Sequence, residues 1–307
     1  MRKYCFIEAA GEVTLREQNS PAPIPAKGEV LVRVRAAGII PTEAQWYPTH
    51  HTRTGEKRTG AVPAHEFCGV IAATGEDVGT LEIGREIFGI NDWYSDGALA
   101  DYCVAPYFAV APTPVRLNAA EAASVPISAL TAWQGLFDRA KLTPGERVLV
   151  HGGAGGVGTF AIQLAKLSKA HVIATASARD RDFLLRLGAD DVIDYRISRF
   201  EDRVRDVDVV FDTVGGETLD RSRSVLKPGG RIVTVAADAE QSSDEHVRNA
   251  FFIVEPKQRQ LYEIACLLET DQLRTVVRAV LPFAQARNAW TSELTNQGRG
   301  KIVVSFE

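Results

Sequence analysis

Apolar and polar positions alternate through the first third of the chain. Residues 30–34, VLVRV, set apolar against charged positions at a period of two, as a half-buried strand does. Residues 70–74, 86–90 and 99–104 are further short apolar runs, separated by Gly, Asp and Pro clusters. Short strands at such intervals predict a small barrel or sandwich. The prolines between positions 21 and 25 mark a connector. Near residue 118 the character changes. Residues 119–124 and 130–140 have helical composition, and after TPGE at 143–146 strands and helices alternate. Strands are predicted over 147–151, 171–175, 191–193, 208–212 and 230–235, with helices over 157–168, 180–187 and 217–225. VLVH and VDVVFD are near-continuous apolar runs, as strands covered on both faces require. This alternation predicts an α/β fold built on a doubly wound parallel sheet. AFFIV, residues 250–254, reads as the last strand of that sheet. The tail from about residue 256 returns to a helix, a strand over 276–281, a helix and a final strand over 301–306.

The most informative segment is HGGAGGVGTFAIQLAK, residues 151–166. Gly153-x-Gly155-x-x-Gly158 follows a predicted strand and opens a predicted helix, and in that setting each glycine has a mechanical task. The first allows a tight turn, the second lets backbone amides approach a pyrophosphate, and the third lets helix and strand pack closely. Phosphates would then face the unpaired N–H groups of a helix N-terminus, cradled by residues Gly153, Ala154, Gly155, Gly156, Val157 and Gly158. Which dinucleotide binds is read from the end of the second strand. The acidic residue that would take a ribose 2′-hydroxyl is replaced by Ala176, and Ser177, Arg179 and Arg181 follow. A guanidinium grips a 2′-phosphate and a carboxylate would repel it, so NADPH is favoured over NADH. Asp180 reads as a helix N-cap.

Composition narrows the setting. The chain has 307 residues, enough for two domains, and a formal net charge of −4. No basic block points to nucleic acid, and no polybasic, amphipathic or long apolar segment points to a membrane. The first fifteen residues carry charges too early for a signal peptide. Four scattered cysteines form no CxxC pair, which fits reduced thiols. A cytoplasmic location is expected.

Taken with AAGIIPTEAQ (36–45), VPAHEFCGVIAATGEDV (62–78), GALADYCVAP (97–106), VPISALTAWQGL (125–136), LGADDVIDYR (187–196), VFDTVGG (210–216), LKPGGRIV (226–233) and GRGKIVV (298–304), the glycine loop resembles the medium-chain dehydrogenase/reductase superfamily. The likeness is to its zinc-free quinone oxidoreductase branch, the zeta-crystallin-like reductases. It implies a GroES-like β-rich domain from residues 1–120, completed by 261–307, with a Rossmann NADPH-binding domain at 121–260 inserted between. It also implies Tyr195 near the adenosine 2′-phosphate and Thr131 beside the nicotinamide. Main chain at Val235, Ala237, Phe252 and Ile253 would line the carboxamide, and Lys301 would reach the cofactor end of the cleft. Dimerisation across the last Rossmann strand is implied too, with AFFIV as the edge of a homodimer.

His65, Glu66 and Cys68 look at first like part of a zinc site. Zinc members of the superfamily use Cys, His and a second Cys or a carboxylate, with one position open. His65 matches the histidine, but the resemblance puts Ile40 and Ile127 at the two cysteine positions. Isoleucine cannot coordinate a metal, so no metal is expected, Cys68 reads as a core thiol, and Glu66 as a carboxylate held by nearby backbone. Quinones and α,β-unsaturated carbonyls accept hydride without a Lewis acid. The expected activity is therefore NADPH-dependent reduction of such a small electrophilic acceptor. Thr42, Trp46, Tyr47, Trp93 and Tyr94 are candidate cleft residues, and Tyr47, Tyr94 and His50 the candidate proton donors. The alternatives are an enone or enal reductase with little quinone activity, and an NADPH-binding sensor or structural protein that does not turn over.

Overall fold

The computed structural model describes residues 1–9, 12–291, 294 and 298–307. The chain divides into two compact units, one of residues 1–127, 256–271 and 275–307, the other of residues 128–255 and 272–274. The first unit is β-rich. β1 (Arg2–Ala9) and β2 (Glu12–Asn19) form an antiparallel hairpin. Then come β3 (Glu29–Ile39), a short helix α1 (Tyr47–His50), β4 (Glu66–Thr74), β5 (Glu86–Ile90), β6 (Tyr102–Pro106) and β7 (Val110–Pro112). With two strands from the tail, β13 (Val277–Pro282) and β14 (Lys301–Ser305), they make a seven-stranded sheet in the order β13-β14-β3-β4-β5-β7, with β6 paired to β3. Alternation along β3 delivers Val30, Val32 and Val34 to a core shared with Phe67, Ile71, Ile87 and Leu99. α2 (Ala119–Ala123) starts with a capping box: the Asn118 side chain accepts from the Glu121 amide while the Glu121 carboxylate accepts from the Asn118 amide.

The second unit is the α/β fold that the alternation predicts. Its strands are β8 (Arg147–Val150), β9 (His171–Ala176), β10 (Asp191–Asp194), β11 (Val207–Asp212) and β12 (Leu226–Thr234). They pair in parallel in the order β10-β9-β8-β11-β12, with the order reversing between β8 and β11. α3 (Pro126–Trp133) continues into a π-helical segment, Gln134–Arg139, and α4 (Gly156–Leu167), α5 (Arg181–Leu187) and α6 (Gly216–Ser222) connect the strands. β11 is buried along its whole length, and β8 and β9 are buried after their first residue, as their apolar runs require.

AFFIV is not a strand. α7 (Glu245–Ala250) runs into it, and only a single bridge, Phe251 to Thr234, attaches it to β12. Phe252 and Val254 are buried while Ile253 is 55% exposed, so the run is apolar because alternate residues pack from an extended segment. β12 is the outermost named strand on that side, so the last strand expected at AFFIV is corrected. The tail closes with α8 (Gln258–Glu269), β13, a 3-10 segment Phe283–Trp290 and β14. Among the described residues no helix is long and apolar enough to cross a membrane.

Candidate functional site

β8 ends at Val150, and the glycine loop turns the chain into α4. Gly152, at φ +72°, makes the left-handed turn that the sequence reading gave to Gly153. Gly153 instead lies against the second strand, where a Cβ would stand 3.0 Å from the Cβ of Ala174. Gly158 has no room at all: its Cβ would stand 2.3 Å from the carbonyl oxygen of Gly152. Gly155 is different, since a Cβ there would meet only that same oxygen, at 3.3 Å. The loop is therefore packed hard at Gly153 and Gly158 and open between them, along Ala154–Val157, which is only partly buried. Gly155 is the N-cap of α4, and no side chain caps its amides. The first-turn N–H groups thus face outward at the positive end of the helix dipole.

The ends of β8 and β11, where the strand order reverses, are tied together beneath the loop. The His151 amide donates to the Phe211 carbonyl, and the Thr213 hydroxyl to the His151 carbonyl. Ligands of doubly wound sheets bind outside such a point. Asp212 is wholly buried there and accepts from the Thr234 hydroxyl and the amides of Val214 and Gly215, though burial still pushes its pKa up. The Val235 amide donates to the Asp212 carbonyl, Ala237 opens a 3-10 turn, and the Phe252 amide donates to the Thr234 carbonyl. Thr131 is buried on α3.

Past β9, Ser177 is buried and its hydroxyl donates to the Asp180 carboxylate at 2.6 Å. Asp180 takes the N-cap position of α5 but does not cap it. Arg179 is half-exposed, with Nε 3.6 Å from that carboxylate. Arg181 does not remain at the strand end. Its guanidinium donates to the Val192 carbonyl and lies 3.7 Å from Asp191, at the other end of β10. The helix thus turns the Arg181 side chain toward the neighbouring strand. Tyr195, 59% exposed, directly follows β10, and its amide donates to the Ala176 carbonyl.

In the β-rich unit a buried cluster surrounds His65. Nδ1 pairs with the Glu43 carboxylate, which also accepts from the Ala64 amide, and Nε2 faces the Ser95 carbonyl at 3.2 Å. A carbonyl only accepts, so Nε2 carries a proton, and Nδ1 is shared with Glu43. Neither nitrogen keeps a free lone pair. Glu66 is fully buried; its Oε2 accepts from the Ile127 amide at 2.8 Å and its Oε1 lies 2.5 Å from the Lys301 ammonium. Lys301, expected at the cofactor end of the cleft, is paired with Glu66 inside this unit. Cys68 is a core thiol between Glu86 and Thr113, its pKa pushed up by burial to about 12. Trp93 packs on His65 and edge-on to Trp46, with ring centroids 5.4 Å apart in both pairs. Tyr47, 55% exposed, stacks on His51, and the Arg53 guanidinium lies over the Tyr94 ring while pairing with Asp92. His50 is turned inward, its Nε2 2.7 Å from the Ala44 carbonyl.

Two family descriptions match the chain: an alcohol dehydrogenase GroES-like domain over residues 26–115, and a zinc-binding dehydrogenase over residues 187–304. A protein of Arthroderma benhamiae named "Probable zinc-binding oxidoreductase, mitochondrial" is 30% identical, over 96% of this chain and 93% of its own length. An NADPH-dependent alkenal/one oxidoreductase of Arabidopsis thaliana chloroplasts is 30% identical, over 99% of this chain and 79% of its own. The solved quinone oxidoreductase of Coxiella burnetii superposes with a TM-score of 0.89 at 28% identity, covering 100% of this chain and 99% of that one. The chain belongs to the medium-chain dehydrogenase/reductase superfamily, in its quinone oxidoreductase branch.

It is an oxidoreductase of that superfamily, whose members bind a nicotinamide cofactor. The loop fits such a group, because the space beyond Gly155 is one that a Cβ would narrow and α4 presents uncapped amides to it. The superfamily's zinc does not fit. Beyond Ile40 and Ile127, both nitrogens of His65 are engaged, and among the described residues no three His, Cys, Asp or Glu side chains gather to hold an ion. Glu43 was missing from the sequence reading. Its signal was available: a buried histidine without metal partners needs a hydrogen-bond acceptor, and IIPTEAQ supplies the one carboxylate of that segment.

His151 supplies a stability test. It is wholly buried, 3.1 Å from the Thr175 hydroxyl and 3.0 Å from that of Ser222, beside the Phe200 ring. Burial, with Arg221 adding and Glu201 opposing, lowers its pKa to about 4. Unfolded, the ring takes its proton near pH 6.5, so the unfolded chain binds more protons between these values and stability falls as pH drops through that window. The expected loss by pH 4 is about 3 kcal/mol. Urea midpoints from pH 7 to 4 should fall less steeply in His151→Gln than in the natural protein, and equal slopes would refute the assignment.

Proposed function

We propose that the protein is a zinc-independent, NADPH-dependent reductase of quinones or other α,β-unsaturated carbonyl compounds. The observation that carries this reading is the state of His65: the one residue that matches a zinc ligand spends both ring nitrogens on Glu43 and Ser95. Without a Lewis acid, a simple ketone is a poor hydride acceptor, whereas a quinone or enone is already electrophilic and leaves a delocalised oxyanion. The nicotinamide, when bound, supplies the hydride. The chain's own residues bind, orient and exclude water. Amides along Ala154–Gly158 take the diphosphate, and Arg179 and Tyr195, beyond β9 and β10, take the adenosine end. Trp46, Trp93 and Tyr47 offer flat apolar faces to a planar acceptor. Tyr47, Tyr94 and Thr131 are the candidate groups for orienting the acceptor or returning a proton, a less demanding task for a delocalised anion.

The test is an acceptor panel. Purified protein dialysed against a chelator should oxidise NADPH with 9,10-phenanthrenequinone or a simple enone, at a kcat/KM at least about tenfold above that with NADH, equivalent to one good charge-assisted contact. Turnover on the enone alone would narrow the substrate to activated alkenes. Stoichiometric zinc with alcohol oxidation would overturn the proposal, and tight NADPH binding without turnover on any acceptor would replace it with a binding protein.

A further inference from the structure

The adenosine end of the dinucleotide site holds a cation with no evident duty. β9 and β10 run in parallel with Asp194 beside Ala176, and the Tyr195 amide donates to the Ala176 carbonyl at 3.3 Å. The chain therefore leaves β10 at Tyr195-Arg196 alongside Ser177, at the strand end where a ribose 2′-substituent lies in doubly wound sheets. Arg196 is exposed, and among the described residues no carboxylate stands within ion-pair distance of it. Its guanidinium sits over the Tyr195 ring, 5.9 Å from the centroid, itself exposed. Arg181, by contrast, is held at Val192 and Asp191. Val192 is two positions before Asp194, about 7 Å along the strand, which draws that side chain away from the strand end.

We propose that Arg196 is the residue by which this chain distinguishes NADPH from NADH, taking the 2′-phosphate together with Arg179, with Arg181 outside the site. This rests on the NADPH reading above. Two carboxylates stand at this strand end: Asp180 is 4% exposed and already accepts from Ser177, with Arg179 beside it, and Asp194 is half-buried and accepts from the Arg196 amide. Arg196 has no ion pair to break when it takes a phosphate, and its fork suits bidentate contact with two phosphate oxygens. Tyr195 lends the planar guanidinium a face to lie on while its N–H edge stays free. Ser177 contributes less than the sequence suggests, because its proton is spent on Asp180.

Binding of 2′,5′-ADP and 5′-AMP, followed by calorimetry at low salt, separates the possibilities without catalysis. In Arg196→Gln the affinity for 2′,5′-ADP should fall about 10–100-fold, the loss of one or two charge-assisted contacts, with 5′-AMP within about twofold. Arg181→Gln should leave the ratio of the two affinities unchanged. An unchanged ratio in Arg196→Gln, with the natural protein still preferring 2′,5′-ADP, overturns the assignment of Arg196 alone. Equal affinities in the natural protein overturn the NADPH reading and this assignment with it. Arg196 is exposed, so an unaltered melting temperature in the variant checks that the fold is intact.

Discussion

Gly158→Ala is expected to abolish cofactor binding and to destabilise the α/β unit, while Gly155→Ala, three residues away, should impair binding and leave stability almost untouched. A Cβ on Gly158 would stand 2.3 Å from the Gly152 carbonyl oxygen and 2.8 Å from the Gly153 Cα. Both are backbone, so no rotamer change relieves the overlap, and the first turn of α4 must lift from β8. Overpacking of this kind costs about 1–3 kcal/mol. It also displaces the amides that would hold a diphosphate, for an affinity loss of at least about a hundredfold, as expected when two contacts to a charged group are lost. At Gly155 the backbone has φ −74°, which alanine adopts freely, and the only near atom is 3.3 Å away. Its methyl group would enter the open side of the loop, where the ligand belongs. The stability cost is that of a poorer N-cap, a few tenths of a kcal/mol to about 1. Melting temperature and NADPH titration on the two variants read the contrast. Equal melting temperatures would show that the helix does not depend on Gly158 for its approach to the strand.

The α/β unit was legible because its strands are covered on both faces. VLV before the glycine loop and VDVVFD are apolar runs with no solvent face to interrupt them, and the predicted ends fall within about one to two residues of β8 and β11, the usual uncertainty at element ends. Predicted strand 230–235 corresponds to β12, which begins earlier, at Leu226; Lys227, Pro228 and Gly229 belong to it yet are exposed, with Gly229 at φ +77°. AFFIV misled for a related reason. A short apolar run records burial, not pairing, and Phe252 packs beside the rings around Gly135 without joining the sheet. The amino-terminal hairpin went unpredicted although Tyr4, Cys5 and Phe6 are all buried, since three consecutive core residues lack the alternation of a one-sided strand.

The site was legible where backbone makes it and obscure where side chains do. Glycine spacing reports on backbone clearance, and only the left-handed turn moved, from Gly153 to Gly152. Arg179 and Arg181 differ by two positions at a helix start, so they leave it on different sides; sequence distance could not say which one β10 would capture. Glu43, His65, Glu66 and Lys301 come from three separate segments of the chain, and their pairings exist only after β3, β4 and β14 assemble. What the sequence offered as the vestige of a metal site is, in the folded unit, two buried pairings, His65 with Glu43 and Glu66 with Lys301.

The second of those pairs should be the costlier to break. Lys301→Met is expected to destabilise the protein by about 3–5 kcal/mol, because it strands a buried carboxylate without its counterion. β3 lies between β4 and β14, and Gly38 on it faces Glu66; a Cβ at Gly38 would stand 2.5 Å from Glu66 Oε1. The missing side chain is the room in which the carboxylate meets the ammonium, and among the described residues that oxygen receives no other donor. Burial already pushes the Glu66 pKa up with Lys301 opposing it, so removing the ammonium leaves burial dominant and drives the carboxyl toward its protonated form. Glu66→Gln in the Lys301→Met background removes the stranded charge yet keeps an oxygen for the Ile127 amide, and should return the protein to within about 2 kcal/mol of the natural one. Urea unfolding of the single and double variants measures the coupling. If the double variant is no more stable than Lys301→Met alone, the lysine matters for its packing and not for its charge.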